Sequence, residues 1–246
     1  MTEEERREFL SLVQSNIATH GQHITLVPAK LLPRFAYTIG LSSLAGFEAV
    51  LAGASYFSGN DVKSILNGFR DILLSKPGQV LDRFDVAGLG EFTLRQVAPW
   101  WSEQLLRGAL DYFDATVVRC LQVVPNDARW TIDVPDLTSE PDSTANRAWR
   151  WLVHPWTYAI PERSVATTNL AALRGDAITE AARWEEQEWE LFAGAGPGVP
   201  PEDIRVVPLG ILLACDPSLA AVAGLHIGSA LWREGAGSEW HEWTSG

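Results

Sequence analysis

The stretch FAYTIGL (residues 35–41) reads as a strand that leaves its sheet abruptly. Its aromatic and β-branched residues suit a pleated surface, and the period of two sets Tyr37 and Thr38 on opposite faces. One face is then core, while the other presents a hydroxyl. Gly40 permits a tight exit. Upstream, residues 23–27 form a second strand stopped by Pro28, and downstream residues 48–52 form a third. Ahead of them, residues 3–18 space Phe9, Leu12, Val13 and Ile17 as a helix. Thr2 with Glu5 is its capping box, and His20-Gly21 ends it.

Residues 61–74 place Val62, Ile65, Leu66, Phe69, Ile72 and Leu73 on one helical stripe, after the N-cap candidates Ser58 and Asn60. A strand over 92–97, a helix over 102–113 and a buried strand over 117–124 follow. The run DVPDLTSEPDSTAN (residues 133–146) is rich in Pro, Asp, Ser and Thr and predicts a linker, assigned to 136–146. Beyond it come strands around 164–168 and 181–192, a Gly/Pro loop over 193–203 and a strand over 204–208. Short helical segments over 208–214 and 217–223 and a final strand or hairpin within 231–243 complete the chain. The pattern predicts an α+β protein of two small domains, 1–135 and a Trp-rich 147–246. Each is a mixed or antiparallel sheet packed with a few helices.

Thirty-one acidic against nineteen basic residues leave a formal charge of −12 over 246 residues. A field of that sign repels phosphate, so nucleic acid and anionic membrane are excluded as non-specific partners. It favours a basic protein partner or a cationic substrate. The acidic start MTEEERREFL and the lack of a long apolar run predict a cytoplasmic protein with no secretory signal and no membrane span. Cys120 and Cys215 sit in apolar runs, and the five histidines have no ligand spacing, so no metal and no cofactor are expected. No GxSxG elbow is present. Gly88-Leu89-Gly90 lacks a third glycine and precedes a strand, and GAGPGVPP lacks the Lys-Ser/Thr of a phosphate loop.

HGQHITLV, FAYTIGL, the Glu48 strand ending at Gly53, the helix with Leu66-Asn67, and LQVVPND (residues 121–127) together resemble the domain of unknown function 4262 family of bacterial proteins. The resemblance spans residues 20–132 and brings no established activity. It implies a Gly-His-Pro-Glu-Leu run where this chain has Ala45-Gly46-Phe47-Glu48-Ala49, so the glutamate survives and the histidine does not. It leaves Tyr37, Thr38, Glu48, Asn67, Gln122 and Asp127 as the polar set for a shared pocket. Asp127 and Trp130 also match a family position where an acid precedes an aromatic residue. In the second half, Thr167-Thr168, WEEQEWELFAG (residues 184–194), VVPLG (206–210), DPSL (216–219), Gly228 and ALWRE (230–234) are loosely similar to a small domain found fused to uncharacterised or immunity-like bacterial proteins.

Nine of the eleven tryptophans lie from Trp130 onward. Trp149, Trp151 and Trp156, interleaved with Arg147, Arg150 and His154, form either an interface hot spot or the seam between the two domains. Two functions remain. One is a binding protein, immunity-like, that neutralises or modulates a basic protein partner. The alternative is a small-molecule enzyme or ligand-binding protein with its pocket around Tyr37, Glu48, Gln122 and Asp127, in which Glu48 or Asp127 is the general base.

Overall fold

The computed structural model describes residues 2–79 and 81–243. Helix α1 (Glu3–His20) begins at the expected capping box: Thr2 accepts from the Glu5 amide, and Glu5 accepts from that of Thr2. Gly21, at φ 78°, ends it in the left-handed region that glycine tolerates. Strands β1 (His23–Val27) and β2 (Phe35–Ile39) form a hairpin. After the single turn of α2 (Ser42–Ala45), β3 (Glu48–Ala52) returns beside β2. Helix α3 (Gly59–Ser75) has a second capping box, between Ser58 and Asp61. Strands β4 (Arg83–Val86) and β5 (Gly90–Gln96), helices α4 (Pro99–Leu105) and α5 (Arg107–Phe113), and strand β6 (Cys120–Pro125) complete the first half.

These strands make one sheet in the order β1-β2-β3-β6-β5-β4, in which only β3 and β6 run parallel. Helix α3 lays Val62, Ile65, Leu66 and Phe69 over one face, against Ala36, Leu51, Phe84 and Phe92. The other face, with Tyr37, Ile39 and Val50, packs against Val13 of α1 and Leu106 and Ala109 beside it.

The expected helix over 102–113 is two helices. It starts three residues earlier, at Pro99, and breaks at the buried Leu106 (φ −96°, ψ 34°). Helix α5 then starts afresh, and the Tyr37 hydroxyl accepts from its Gly108 amide at 3.0 Å. A Cβ at Gly108 would lie 2.6 Å from that hydroxyl and 2.8 Å from the Phe9 ring, so the close approach requires glycine. Strand β4 was not expected: only Phe84 and Val86 mark it, within a charged run.

The second half adds β7 (Val165–Asn169), α6 (Leu170–Leu173), the hairpin β8 (Glu180–Glu185) and β9 (Glu188–Phe192), β10 (Ile204–Pro208), α7 (Leu209–Cys215), α8 (Ala220–Ala223), β11 (Ser229–Trp232) and β12 (His241–Glu242). They form a second sheet in the order β10-β7-β9-β8-β11-β12, again with one parallel pair, β7 and β9. The fold is α+β with two mixed six-stranded sheets. Trp189, Leu191, Ala166 and Val207 point inward with Leu209, Ile211 and Leu212 of α7, and they join the same buried cluster as Tyr37 and Val50. The two sheets therefore share a core.

Residues 133–146, expected to be a loose connection, are pinned into that seam. The Gln122 amide donates to the Pro135 carbonyl at 2.7 Å and accepts from the Leu137 amide at 3.3 Å. Leu137 is fully buried, and its carbonyl accepts from Ala98. Asn146 closes the loop with two hydrogen bonds to the Asp136 backbone. The polar composition that reads as solvent-loving is instead used to satisfy buried backbone groups. No described helix is long and apolar enough to cross a membrane.

Candidate functional site

Alternation in the second sheet decides where its side chains go. In β9, Trp189 and Leu191 face the core, so Glu188, Glu190 and Phe192 face out. In β8, Ala181 faces in and Glu180, Ala182 and Trp184 face out. In the register, Glu190 lies opposite Ala182 on one side and Thr167 on the other. Between Arg183 and Glu185 the register slips, and the residue in that bulge is Trp184. A bulge bends its strand and re-aims a side chain; here it leaves Trp184 51% exposed. The outward apolar residues Ala182, Phe192, Ile204, Val206 and Trp232 belong to neither buried cluster.

On this uncovered face lies a cleft of about 1090 Å³. On that face Ala182, Phe192 and Ile204 supply apolar wall, and Trp184 and Trp243 stand at it more than half exposed, while Leu225 and Leu231 line it from the core side of the sheet. Glu180, Glu190 and Glu242 are its carboxylates, and no lysine or arginine is among its described lining residues. Glu180 is held in place by the Gly196 amide at 2.8 Å. Arg183, the nearest arginine in sequence, points to the opposite face. There it stacks over Trp189 at 4.4 Å and donates to the Leu225 carbonyl. The cleft thus offers aromatic surface and uncompensated negative charge together.

The six polar residues expected to line one pocket do not converge. Thr38 and Glu48 do meet: the Thr38 hydroxyl donates to the carboxylate at 2.6 Å. The amides of Gly40, Leu41 and Ser42 donate to the same carboxylate at 2.9–3.2 Å. Glu48 is fully buried with four donors, so it fastens the turn after β2, in which Gly40 sits at φ 101°. Tyr37 projects from the opposite face to Thr38, toward α5, where burial raises its phenol pKa. Asn67 accepts from Gln22 on the α3 side. Gln122 is saturated by residues 135 and 137, and Asp127 stands exposed beyond β6. None of these six lines any of the described cavities.

The tryptophan–arginine segment is also placed differently from an interface. Trp149 is 2% exposed and its indole donates to the Asp133 carbonyl at 2.8 Å. It packs against Phe35 and Trp101 of the first half. Trp151 is buried and donates to the Gly210 carbonyl, and Trp156 donates to that of Ile160. Arg150 lies over the Trp151 ring at 4.9 Å, and Arg147 remains exposed. The cluster is the seam between the sheets.

Residues 16–130 match the profile of the family described as domain of unknown function (DUF4262). That segment, a little under half of the chain, is similar to a DUF4262 domain. The match ends ahead of the second sheet, and no curated protein and no solved structure matches the chain. Within that segment, Gly46 takes the place where the resemblance puts a histidine, and no atom stands within 4 Å of a Cβ built there. Phe47 beside it stacks on Phe69 at 6.3 Å. Neither residue can move a proton.

Reading along the chain missed Asp133. It is fully buried just past the DUF4262-like segment and accepts from the Ser55 amide, the Ser55 hydroxyl at 2.7 Å and the Thr131 hydroxyl at 2.5 Å. Its carbonyl passes so near Gly53 (φ 69°) that a Cβ there would lie 2.0 Å away. Only the Thr-x-Asp spacing hinted at it. Among the described residues, no group of three His, Cys, Asp or Glu stands together to hold a metal ion.

Proposed function

We propose that the chain is a binding protein whose second sheet captures a basic protein partner, neutralising or modulating it in the manner of an immunity protein. The observation that carries this reading is the uncovered face, where Trp184 and Trp243 border three carboxylates and, among the described lining residues, no lysine or arginine. Exposed apolar patches of this kind mark interaction sites. Tryptophan is among the residues that most often dominate binding energy. Glu180, Glu190 and Glu242 choose the sign of the partner, because like charge on it would be repelled and opposite charge steers the encounter.

The test is a purification from the native host at low ionic strength. The recovered partner is then footprinted on the full chain by hydrogen exchange. The reading expects a basic, stoichiometric partner that protects β8, β9 and β11. It expects retention to fall with salt, and with Glu180→Gln/Glu190→Gln. A footprint confined to the DUF4262-like segment, or binding indifferent to both salt and the double variant, refutes it.

A further inference from the structure

A second cavity, of about 330 Å³, lies where the two sheets meet, between the turn after β3 and strand β10. Its lining includes Arg34 from the first half and Arg205 from the second. Both guanidiniums are partly buried, and no carboxylate among the described residues lies within 4.0 Å of either. Their hydrogen bonds go to carbonyls. Arg34 Nη2 donates to Ala54 and Phe57, while Arg205 donates to Ser55, Tyr56, Glu202 and Ile204. Carbonyls satisfy N–H groups but do not neutralise a charge, and an unneutralised charge withdrawn from water is costly. Arg34 Nε is buried with no partner at all. Burial pushes the Arg34 guanidinium below its ordinary range; Asp133 opposes that shift, and the charge of Arg205 adds to it.

Two repelling cations face one small cavity in a chain of net charge −12. We infer that this seam is a binding site for a small molecule carrying one oxyanion, phosphate or carboxylate, held between Arg34 and Arg205. The volume falls in the range of small-ligand pockets. Guanidiniums are suited to recognise both anions through charge-assisted, forked hydrogen bonds. Tyr56, Phe57, Val206 and Pro208 give the ligand's organic part an apolar wall. Asp61, in the first turn of α3, is the one carboxylate among the cavity's described lining residues and opposes the anion. Because the arginines come from different sheets, occupancy stabilises the seam. The site is separate from the acidic cleft and stands whether or not a basic partner binds there.

The experiment is calorimetry and thermal unfolding of the full chain with inorganic phosphate, with succinate, and with chloride at equal ionic strength. Phosphate or succinate is expected to bind and to raise the melting temperature beyond chloride; whichever arm responds names the oxyanion. Arg205→Gln is expected to weaken binding about tenfold. Asp61→Asn keeps the capping oxygen and is expected to tighten binding roughly two- to fivefold. Responses to phosphate and succinate no larger than to chloride overturn the inference. So does unchanged affinity in a folded Arg205→Gln. If that variant does not fold, unchanged affinity in Asp61→Asn overturns it equally.

Discussion

Replacing Trp149 by alanine separates the two roles open to the tryptophan segment. The indole is 2% exposed and touches Phe35 and Trp101 across the seam, so its removal leaves a cavity that both sheets would have to close. Large-to-small changes of a buried tryptophan cost about 3–5 kcal/mol. The Asp133 carbonyl also loses its indole donor, which adds about 1 kcal/mol or more. Against a total stability of about 5–15 kcal/mol, that loss is severe. It corresponds to a fall of roughly 10–20 °C in melting temperature for a chain of this size. Urea unfolding followed by far-ultraviolet circular dichroism measures it. Trp184→Ala, on the open face, is the control, expected to stay within about 0.5 kcal/mol of the parent. The partner assay should reverse the order, with Trp184→Ala impaired and folded Trp149→Ala retained. A loss below about 1 kcal/mol for Trp149→Ala would show that the seam does not depend on this side chain, and the shared core would have to be redrawn.

Glu48→Ala is expected to destabilise by about 3 kcal/mol or more, because it strands three amides and the Thr38 hydroxyl; urea titration measures this, and a loss under about 1 kcal/mol refutes the fastening role. His23 is half-buried and accepts from the Asn16 amide through Nδ1 in its neutral form, and burial lowers its pKa. The unfolded chain therefore binds the proton more readily, so this contribution is complete above about pH 6.5 and is lost as pH falls toward the folded value. A histidine proton titration should place His23 below the ordinary imidazole value of about 6.5, and stability that rises on acidification through this window would contradict it. Burial pushes the Cys215 thiol up to about 12 and raises that of Cys120 as well. A thiol reagent at pH 8 should leave both unreacted in the native protein and label both after denaturation; rapid native labelling refutes the packing.

Local chemistry was readable and remote partners were not. The capping boxes at Thr2/Glu5 and Ser58/Asp61 are settled within four residues, and the strand over 35–39 is settled by its own alternation. The break at Leu106 lies beside Gly108, whose amide donates to a hydroxyl 71 positions away in Tyr37. Residues 133–146 have a linker's composition because Gln122, Asn146 and Asp133 spend their polar groups on backbone that lies close only after folding. The expected pocket failed for a related reason. Thr38 and Glu48 bond to each other, Tyr37, Asn67 and Gln122 each find a separate structural partner, and Asp127 stands exposed, so their shared membership of a motif set did not imply a shared site. The cleft residues were visible as WEEQEWELF, but which face stays bare depends on where α7 and α8 pack.

The contrast between the two sheets is what favours the second as the proposed binding face. In the first, β3 is buried at every position, as a strand must be when helices or a second sheet cover both faces. In the second, β9 alternates Glu188 and Glu190 outward with Trp189 and Leu191 inward, the pattern of a sheet with one open face, and only at its end is Phe192 buried beneath the Gly196 turn. An open face that served only solubility would mix both signs of charge and guard its strands with lysine. All three lysines of the chain precede residue 77, so the second half has none. Its arginines Arg183, Arg205 and Arg233 are turned to backbone carbonyls or to Asp216. What remains outward on that face is carboxylate, indole and aliphatic side chains such as Ile204 and Val206, a surface suited to the proposed cation-bearing apolar segment.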